Sequence, residues 1–154
     1  MNHQRYPNEH GAGPNGIYIP TDLDVKVPGT NVSERVRLFF GKTGIWWGTW
    51  RSPQVKGSYD AVLIVREIKS NGPSDEQAEI MYLTPDYPKW YITADRWETE
   101  AAFVTREDGR FVLRIPYSPA ATTMDFWFEG SSGPLMKGIT YGRFMRRDIV
   151  LKPL

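Results

Sequence analysis

The chain has 154 residues, a formal net charge of +1 and no cysteine. This length fits a single domain, because two halves would each struggle to bury a sufficient core. The near balance of 19 basic and 18 acidic side chains argues against binding to nucleic acid or to an anionic membrane by charge alone. Without cysteine, disulfides, thiolate nucleophiles and cysteine-based metal sites are excluded. The polar N-terminus has no signal-peptide pattern, which predicts a cytoplasmic protein.

The N-terminal 30 residues differ in composition from the rest of the chain. Asn, His, Gly and Pro dominate as far as Gly16, which predicts a flexible tail. The segment from Ile17 to Val27 is expected to be extended and to lie along the domain. The sequence therefore divides into residues 1–30, a tail with an extended segment, and residues 31–154, a single folded domain.

A short helix is predicted at the start of this domain. Val36, Phe39 and Phe40 are spaced i, i+3, i+4, which is a helical stripe and not a strand alternation. Asn31 or Ser33 could cap the helix, and the glycine that follows Phe40 could end it.

From Gly44 onward the sequence favours β-strands. Connections between the strands are short, which requires antiparallel neighbours, and a meander of this size can remove its edges by closing on itself. We predict an all-β fold, a closed or nearly closed antiparallel up-and-down barrel of about 8–9 strands with a short N-terminal helix. A two-sheet sandwich is the main alternative. The eight clear runs and one doubtful run, the last named, are Gly44–Arg51, Ser58–Lys69, Gln77–Leu83, Glu98–Thr105, Arg110–Tyr117, Thr122–Glu129, Leu135–Tyr141, Arg143–Leu151 and Trp90–Thr93.

Alternation along the strands divides residues between two faces. The run from Ala61 to Arg66 is apolar on both faces, so both are expected to be covered. The helix at Val36–Phe40 is the candidate for covering its outer face. In a later strand one face carries Met124, Phe126 and Phe128, and the opposite face carries Asp125, Trp127 and Glu129.

The first predicted strand, Gly44 to Arg51, contains the unit Gly-x-Trp twice. In this motif, and in the order of elements from about residue 33 to the C-terminus, the chain resembles the calycin barrels, which include lipocalins and fatty-acid-binding proteins. The resemblance implies that a motif tryptophan closes one end of the barrel and that an arginine of the last strand packs across it. The residues that match are Trp46 or Trp50 and Arg143, Arg146 or Arg147.

Both histidines, His3 and His10, lie in the predicted tail. A Ser–His–Asp triad or a histidine-based catalytic metal site inside the barrel is therefore excluded. The chain also lacks the glycine spacing of a phosphate-binding loop or a dinucleotide-binding turn. We expect neither a cofactor nor a metal, and any catalysis would have to use carboxylate, tyrosine, lysine or arginine side chains.

Two carboxylates on one strand are the candidates for acid–base catalysis. Asp125 and Glu129 share a face, and Trp127 stands between them. If this face lines the barrel interior, the two form a pair beside an aromatic wall, and Tyr82 and Tyr141 could supply further acid–base groups. If the apolar face lines the interior instead, the two carboxylates are solvated and have no such role.

Aromatic residues are concentrated in the connection that follows the strand ending at Leu83. Rings with a few polar groups at a barrel mouth are typical of sites for sugars or planar ligands. Rings on such a connection can also pack onto the core as a lid. The candidate ligand-binding residues are Tyr82, Tyr87, Trp90, Tyr91, Trp97 and Trp127.

Three functions stay open at this point. The first is a calycin-like binding domain that takes a small amphipathic or planar ligand in the barrel mouth. The second is a cofactor-free isomerase, cyclase or lyase, and the third is an interaction or accessory domain. For the third, the tail, the strand that is apolar on both faces and the outward-facing Trp47 could serve a partner protein or a homodimer. If Trp46 and Trp50 close one end of the barrel, the functional mouth is expected at the other, under the connection between Tyr82 and Trp97.

Overall fold

Eight antiparallel strands close into a barrel. Neighbouring strands follow one another along the chain, and the last strand pairs with the first to close the sheet. This confirms the predicted all-β up-and-down barrel. The alternative, a two-sheet sandwich, is excluded. The computed structural model describes residues 3–4, 17–20, 23–117, 122–130, 133–141 and 145–154. The barrel strands are β3 (Ile45–Arg51), β4 (Ser58–Ser70), β5 (Glu76–Thr84), β6 (Asp95–Thr105), β7 (Phe111–Tyr117), β8 (Thr122–Glu129), β9 (Leu135–Tyr141) and β10 (Arg146–Pro153).

The other elements of the described residues are short. They are β1 (His3–Gln4), β2 (Ile19–Pro20), α1 (Glu34–Arg37) and a 3-10 helix (Pro88–Trp90). The first two pair with each other in antiparallel orientation. Within the described ranges, no helix has the length and apolar character that crossing a membrane would need.

The segment from Trp90 to Thr93, the doubtful ninth strand, turns back on itself. Pro88 begins the 3-10 helix, and Tyr91 follows it in the left-handed region with φ of 58°. Tyr87 and Ile92 then pair through two backbone hydrogen bonds of 2.8 and 3.0 Å. The strand prediction is wrong here, because Pro88 has no N–H to donate to a ladder and starts a tight turn instead.

One end of the barrel is closed by α1 and the turns after it, and we call it the helix end. Val36, Phe39 and Phe40 are buried and pack among the inward-facing side chains. The indole Nε1 of Trp46 donates a hydrogen bond of 3.0 Å to the carbonyl oxygen of Phe39. Because a Cβ at Gly41 would lie 2.8 Å from the Trp46 ring, glycine lets the turn close over this tryptophan.

Glu76 of β5 holds the start of α1. The hydroxyl of Ser33 does not cap the helix but donates a hydrogen bond of 2.6 Å to the Glu76 carboxylate, and the Ser33 backbone N–H donates another of 2.7 Å. Burial alone would raise the pKa of Glu76, but the hydrogen bonds from Ser33 outweigh it and lower the pKa overall. The buried carboxylate is therefore held ionised between two elements of the helix end.

The outer faces of β4 and β5 are covered by residues 17–20, which we call the strap. Ile17 and Ile19 are buried against an apolar cluster that includes Val62 and Ile64 of β4. The prediction that the short helix covers this face is wrong, because its aromatic side chains enter the barrel end instead. The two apolar faces of β4 are thus buried by different elements, the core inside and the strap outside.

Large side chains fill the barrel interior. They come from strands on all sides of the barrel and are at most 1% exposed. The central part of the barrel is therefore a packed core, with no room there for a ligand. The largest of these side chains include Trp46, Trp50, Leu63, Leu113, Met124 and Phe126.

Candidate ligand site at the barrel mouth

The end of the barrel opposite α1, the mouth, is covered by residues 85–94, which connect β5 to β6 and which we call the lid. Tyr87 and Trp90 of the lid pack against Tyr59 of β4, and both ring centroids lie 5.7 Å from that of Tyr59. The rings of Tyr59 and Tyr87 are stacked, and Trp90 meets each of them edge-on. These three residues form the mouth cluster, in geometries that aromatic pairs prefer.

The lid is a small folded unit that touches the barrel rim through few polar contacts. Inside it, the Asp86 carboxylate accepts a hydrogen bond of 2.8 Å from the backbone N–H of Ala94. At the rim, the hydroxyl of Tyr87 accepts one of 3.2 Å from the backbone N–H of Ser58. Gly57 has φ of 130°, and a Cβ there would collide with the Tyr87 hydroxyl. The close seating of the lid thus requires glycine at this position.

Arg147 of β10 lies beneath the mouth cluster. It is 6% exposed, and its Nη1 donates a hydrogen bond of 2.8 Å to the hydroxyl oxygen of Tyr59. Its Nε is buried and has no acceptor among the described residues, and the same holds for the indole Nε1 of Trp90. An unpaired buried donor costs about 1–3 kcal/mol, so two of them on residues that both contact Tyr59 indicate a site for an acceptor.

Tyr82 and Trp50 form the floor of the mouth. The indole Nε1 of Trp50 donates a hydrogen bond of 2.7 Å to the hydroxyl oxygen of Tyr82, and both residues are buried. Trp97 of β6 stands opposite Tyr82 in the strand register and is partly buried against the same core. The mouth is therefore aromatic from its floor to its lid.

The predicted pairing of a motif tryptophan with an arginine of the last strand does not hold for Trp46. Trp46 packs under the turn after α1, at the helix end, whereas Arg147 lies at the mouth. Arg146 points outward and donates a hydrogen bond of 2.9 Å to Asp148. The third candidate, Arg143, lies outside the described residues. Since side chains alternate along β10, only one of the two consecutive arginines can enter the barrel.

Asp125, the first catalytic candidate, faces the outside of the barrel. Arg114 of β7 holds it with two hydrogen bonds, from Nε at 2.8 Å and from Nη2 at 2.9 Å. Arg106 lies 3.8 Å away. These bonds to Asp125 raise the pKa of Arg114, and they occupy both carboxylate oxygens. The carboxylate is therefore part of a cross-strand ion pair, outside the interior that the catalytic hypothesis required.

The other catalytic candidates are not brought together with it. Glu129 is also outside, where hydrogen bonds from Trp127 and then Lys137 lower the pKa of its carboxyl. Tyr141 is 54% exposed on the outer face, whereas Tyr82 is buried inside the barrel. The barrel wall thus separates Tyr82 from the carboxylates, and the four residues form no common site.

Four of the six predicted ligand-binding residues lie at the mouth. Tyr91 sits at the tip of the lid and is 94% exposed, so it contributes nothing to the mouth cluster. Trp127 is on the outer wall, where the Arg110 guanidinium lies 4.4 Å from its ring centroid. The four at the mouth are Tyr82, Tyr87, Trp90 and Trp97.

Two residues of the mouth, Tyr59 and Arg147, were not among the predicted ligand-binding residues, and Arg147 was predicted only as a partner for a motif tryptophan. A signal for both exists in the strand alternation. Tyr59 shares the inward face of β4 with Leu63, and Arg147 shares the inward face of β10 with Ile149 and Leu151. An arginine in phase with core residues is a stronger indication of a site than an aromatic ring on a loop, because buried charges are rare.

Among the described residues, no three His, Cys, Asp or Glu side chains are grouped as a metal ion would require. Compared with protein-family models, with curated proteins and with solved structures, the chain has no significant match. The closed barrel is consistent with the calycin-like architecture that the Gly-x-Trp strand suggested, and membership in that family stays a prediction. The cytoplasmic location and the homodimer also stay predictions.

Proposed function

We propose that the protein binds a small amphipathic or planar ligand at the barrel mouth, beneath the lid. The observation that carries this proposal is the mouth cluster, in which Trp90 packs edge-on against Tyr59 and Tyr87 while its buried indole N–H has no acceptor among the described residues. Apolar and aromatic walls with a few directed polar groups are the usual composition of ligand sites. The catalytic alternative lacks such support, because its carboxylates face outward.

Ligand entry requires the lid to move, since the barrel centre is packed. The lid keeps its own shape through the Asp86–Ala94 hydrogen bond and the Tyr87–Ile92 pairing. It can therefore lift from the rim as a unit, giving up the stacking on Tyr59 and the hydrogen bond from Ser58. A planar ligand that enters between Tyr59 and the lid restores the lost ring contacts on both of its faces.

The interaction-domain alternative rested in part on an outward Trp47 that needs a partner. Trp47 is partly buried and packs against the outer apolar cluster that includes Val62, its neighbour in the strand register. The chain itself therefore covers part of this tryptophan, which weakens that ground for a second protein.

Fluorescence titration with the neutral planar probe N-phenylnaphthylamine tests the binding function. We expect saturable one-to-one binding to the full chain. Trp90→Ala should weaken it by roughly 2-fold to 10-fold, which corresponds to the ~0.5–1.5 kcal/mol of an aromatic contact. The matched control is Trp127→Ala, which removes a ring from the outer wall and should leave the affinity unchanged. Equal losses in both variants, or no saturable binding at all, would contradict the proposal.

A further inference from the structure

We propose that the ligand of the mouth is an organic anion, with a carboxylate or sulfonate group that binds to Arg147. This inference rests on the binding function proposed above and adds the charge of the ligand. Arg147 is the most buried arginine of the described residues. Its single hydrogen bond is the one from Nη1 to Tyr59, and no carboxylate oxygen in the described ranges lies within 4.0 Å of its guanidinium.

Other arginines of the barrel show how unusual this is. Arg114, which is far more exposed, is bound to both oxygens of Asp125. Arg66, also more exposed, has an ion pair of 2.5 Å with Glu98. A buried cation without a counter-ion is unfavourable unless another molecule supplies the negative charge. The best-buried guanidinium of the described residues thus has no carboxylate partner among them.

The guanidinium of Arg147 lies at the mouth. The bond from Nη1 to Tyr59 fixes one edge of the guanidinium beside the mouth cluster and leaves Nε as the unused donor. Trp90, which packs edge-on against Tyr59, brings the second unused donor, its Nε1. A carboxylate or sulfonate offers several acceptor oxygens, which suits the fork of an arginine.

The rest of the ligand follows from the same contacts. Tyr59 accepts the hydrogen bond of Arg147 at its hydroxyl and stacks its ring on Tyr87. An anion held at Arg147 therefore has its remaining atoms next to the ring faces, which accept a planar apolar body. A neutral ligand would leave the guanidinium uncompensated, and a cation would be repelled by it.

Two probes that share their rings and differ in charge provide the test. Anilinonaphthalene sulfonate carries a sulfonate, and N-phenylnaphthylamine does not. We expect the full chain to bind the sulfonate probe roughly 10-fold to 100-fold more tightly, as a charge-assisted hydrogen bond predicts. Arg147→Met should abolish this preference, so that the two probes bind this variant with similar affinity. Arg146→Met, which removes the neighbouring outward arginine, should keep the full preference.

The inference can be tested even if the Arg147 variant does not fold. The comparison of the two probes in the unmodified chain needs no substitution, and equal affinities there overturn the inference. Arg147→Lys, which keeps the charge but loses the fork, should retain a reduced preference for the sulfonate. A full preference in folded Arg147→Met would also overturn the inference while leaving the binding function in place. Failure of both probes to bind would overturn the binding function and this inference together.

Discussion

The contact between Ser33 and Glu76 sets how firmly α1 closes the helix end, and its strength can be isolated in a double-mutant cycle. Ser33→Ala removes the hydroxyl bond of 2.6 Å but keeps the backbone bond of 2.7 Å. Glu76→Ala removes both and leaves the Ser33 N–H without its acceptor. The coupling energy therefore reports the hydroxyl–carboxylate bond alone, for which we expect roughly 1.5–3 kcal/mol.

The same coupling should depend on pH. The pKa of Glu76 is lowered in the folded protein, so its contribution to stability is present above the unfolded-state pKa and is lost as the pH falls through the folded-state pKa. In acid the bond becomes one between neutral groups, and the coupling should decrease to roughly 0.5–1.5 kcal/mol.

Urea unfolding followed by tryptophan fluorescence measures each variant at neutral and at acidic pH. Ser74→Ala, an exposed serine in the turn before β5, is the control and should change the free energy of unfolding by less than about 0.5 kcal/mol. A coupling energy near zero at neutral pH, or one that does not fall in acid, would refute the assignment of this bond as the anchor of α1.

Three further substitutions test the core, the strap and the lid. Tyr82→Phe should lower the free energy of unfolding by about 1–3 kcal/mol in urea, because the buried indole N–H of Trp50 loses its acceptor. Ile19→Ala should cost about 2–5 kcal/mol if the strap is part of the folded unit, whereas Val27→Ala, at 77% exposed, should cost less than about 0.5 kcal/mol. Gly57→Ala, at a φ of 130°, should cost about 1–3 kcal/mol and accelerate hydrogen exchange across the lid; unchanged exchange would show that the lid seats without this glycine.

The barrel could be predicted because short sequence motifs specify its turns. Asn71-Gly72 and Asp108-Gly109 lie where the chain reverses, and both glycines have positive φ. Alternating residues between such turns define strands, and short connections leave only antiparallel pairing. The place where the short helix packs, in contrast, is not specified by the local sequence. Its apolar stripe showed that a face is buried but not whether the barrel end or the outer wall receives it.

The local sequence was also insufficient to predict which face of β8 lies inside the barrel. Alternation separated Asp125 from Phe126 without stating which side is the interior. The strand register answers this, because Asp125 stands opposite Arg114 of β7, and oppositely charged cross-strand neighbours favour the outer face. That charge match could have been read from the sequence by aligning the two strands.

The mouth could be predicted only in part. Tyr87 and Trp90 stand out as aromatic residues on one connection. Arg147 and Tyr59 meet across a separation of 88 residues, through a contact that exists only once the sheet has closed. Alternation within each strand places both residues on an inward face but does not show that they meet, which is why Arg147 was predicted only as a partner for a motif tryptophan.

Closure of the sheet also imposes an order on biosynthesis. β10 fills the gap between β9 and β3, so both strands have unpaired edges until it has left the ribosome. During that interval the nascent chain is an open sheet, the form most prone to pair with another copy or to meet a chaperone. Arg147 arrives on this last strand, so the cation that we propose as the ligand's anchor enters the protein in the same step that seals it.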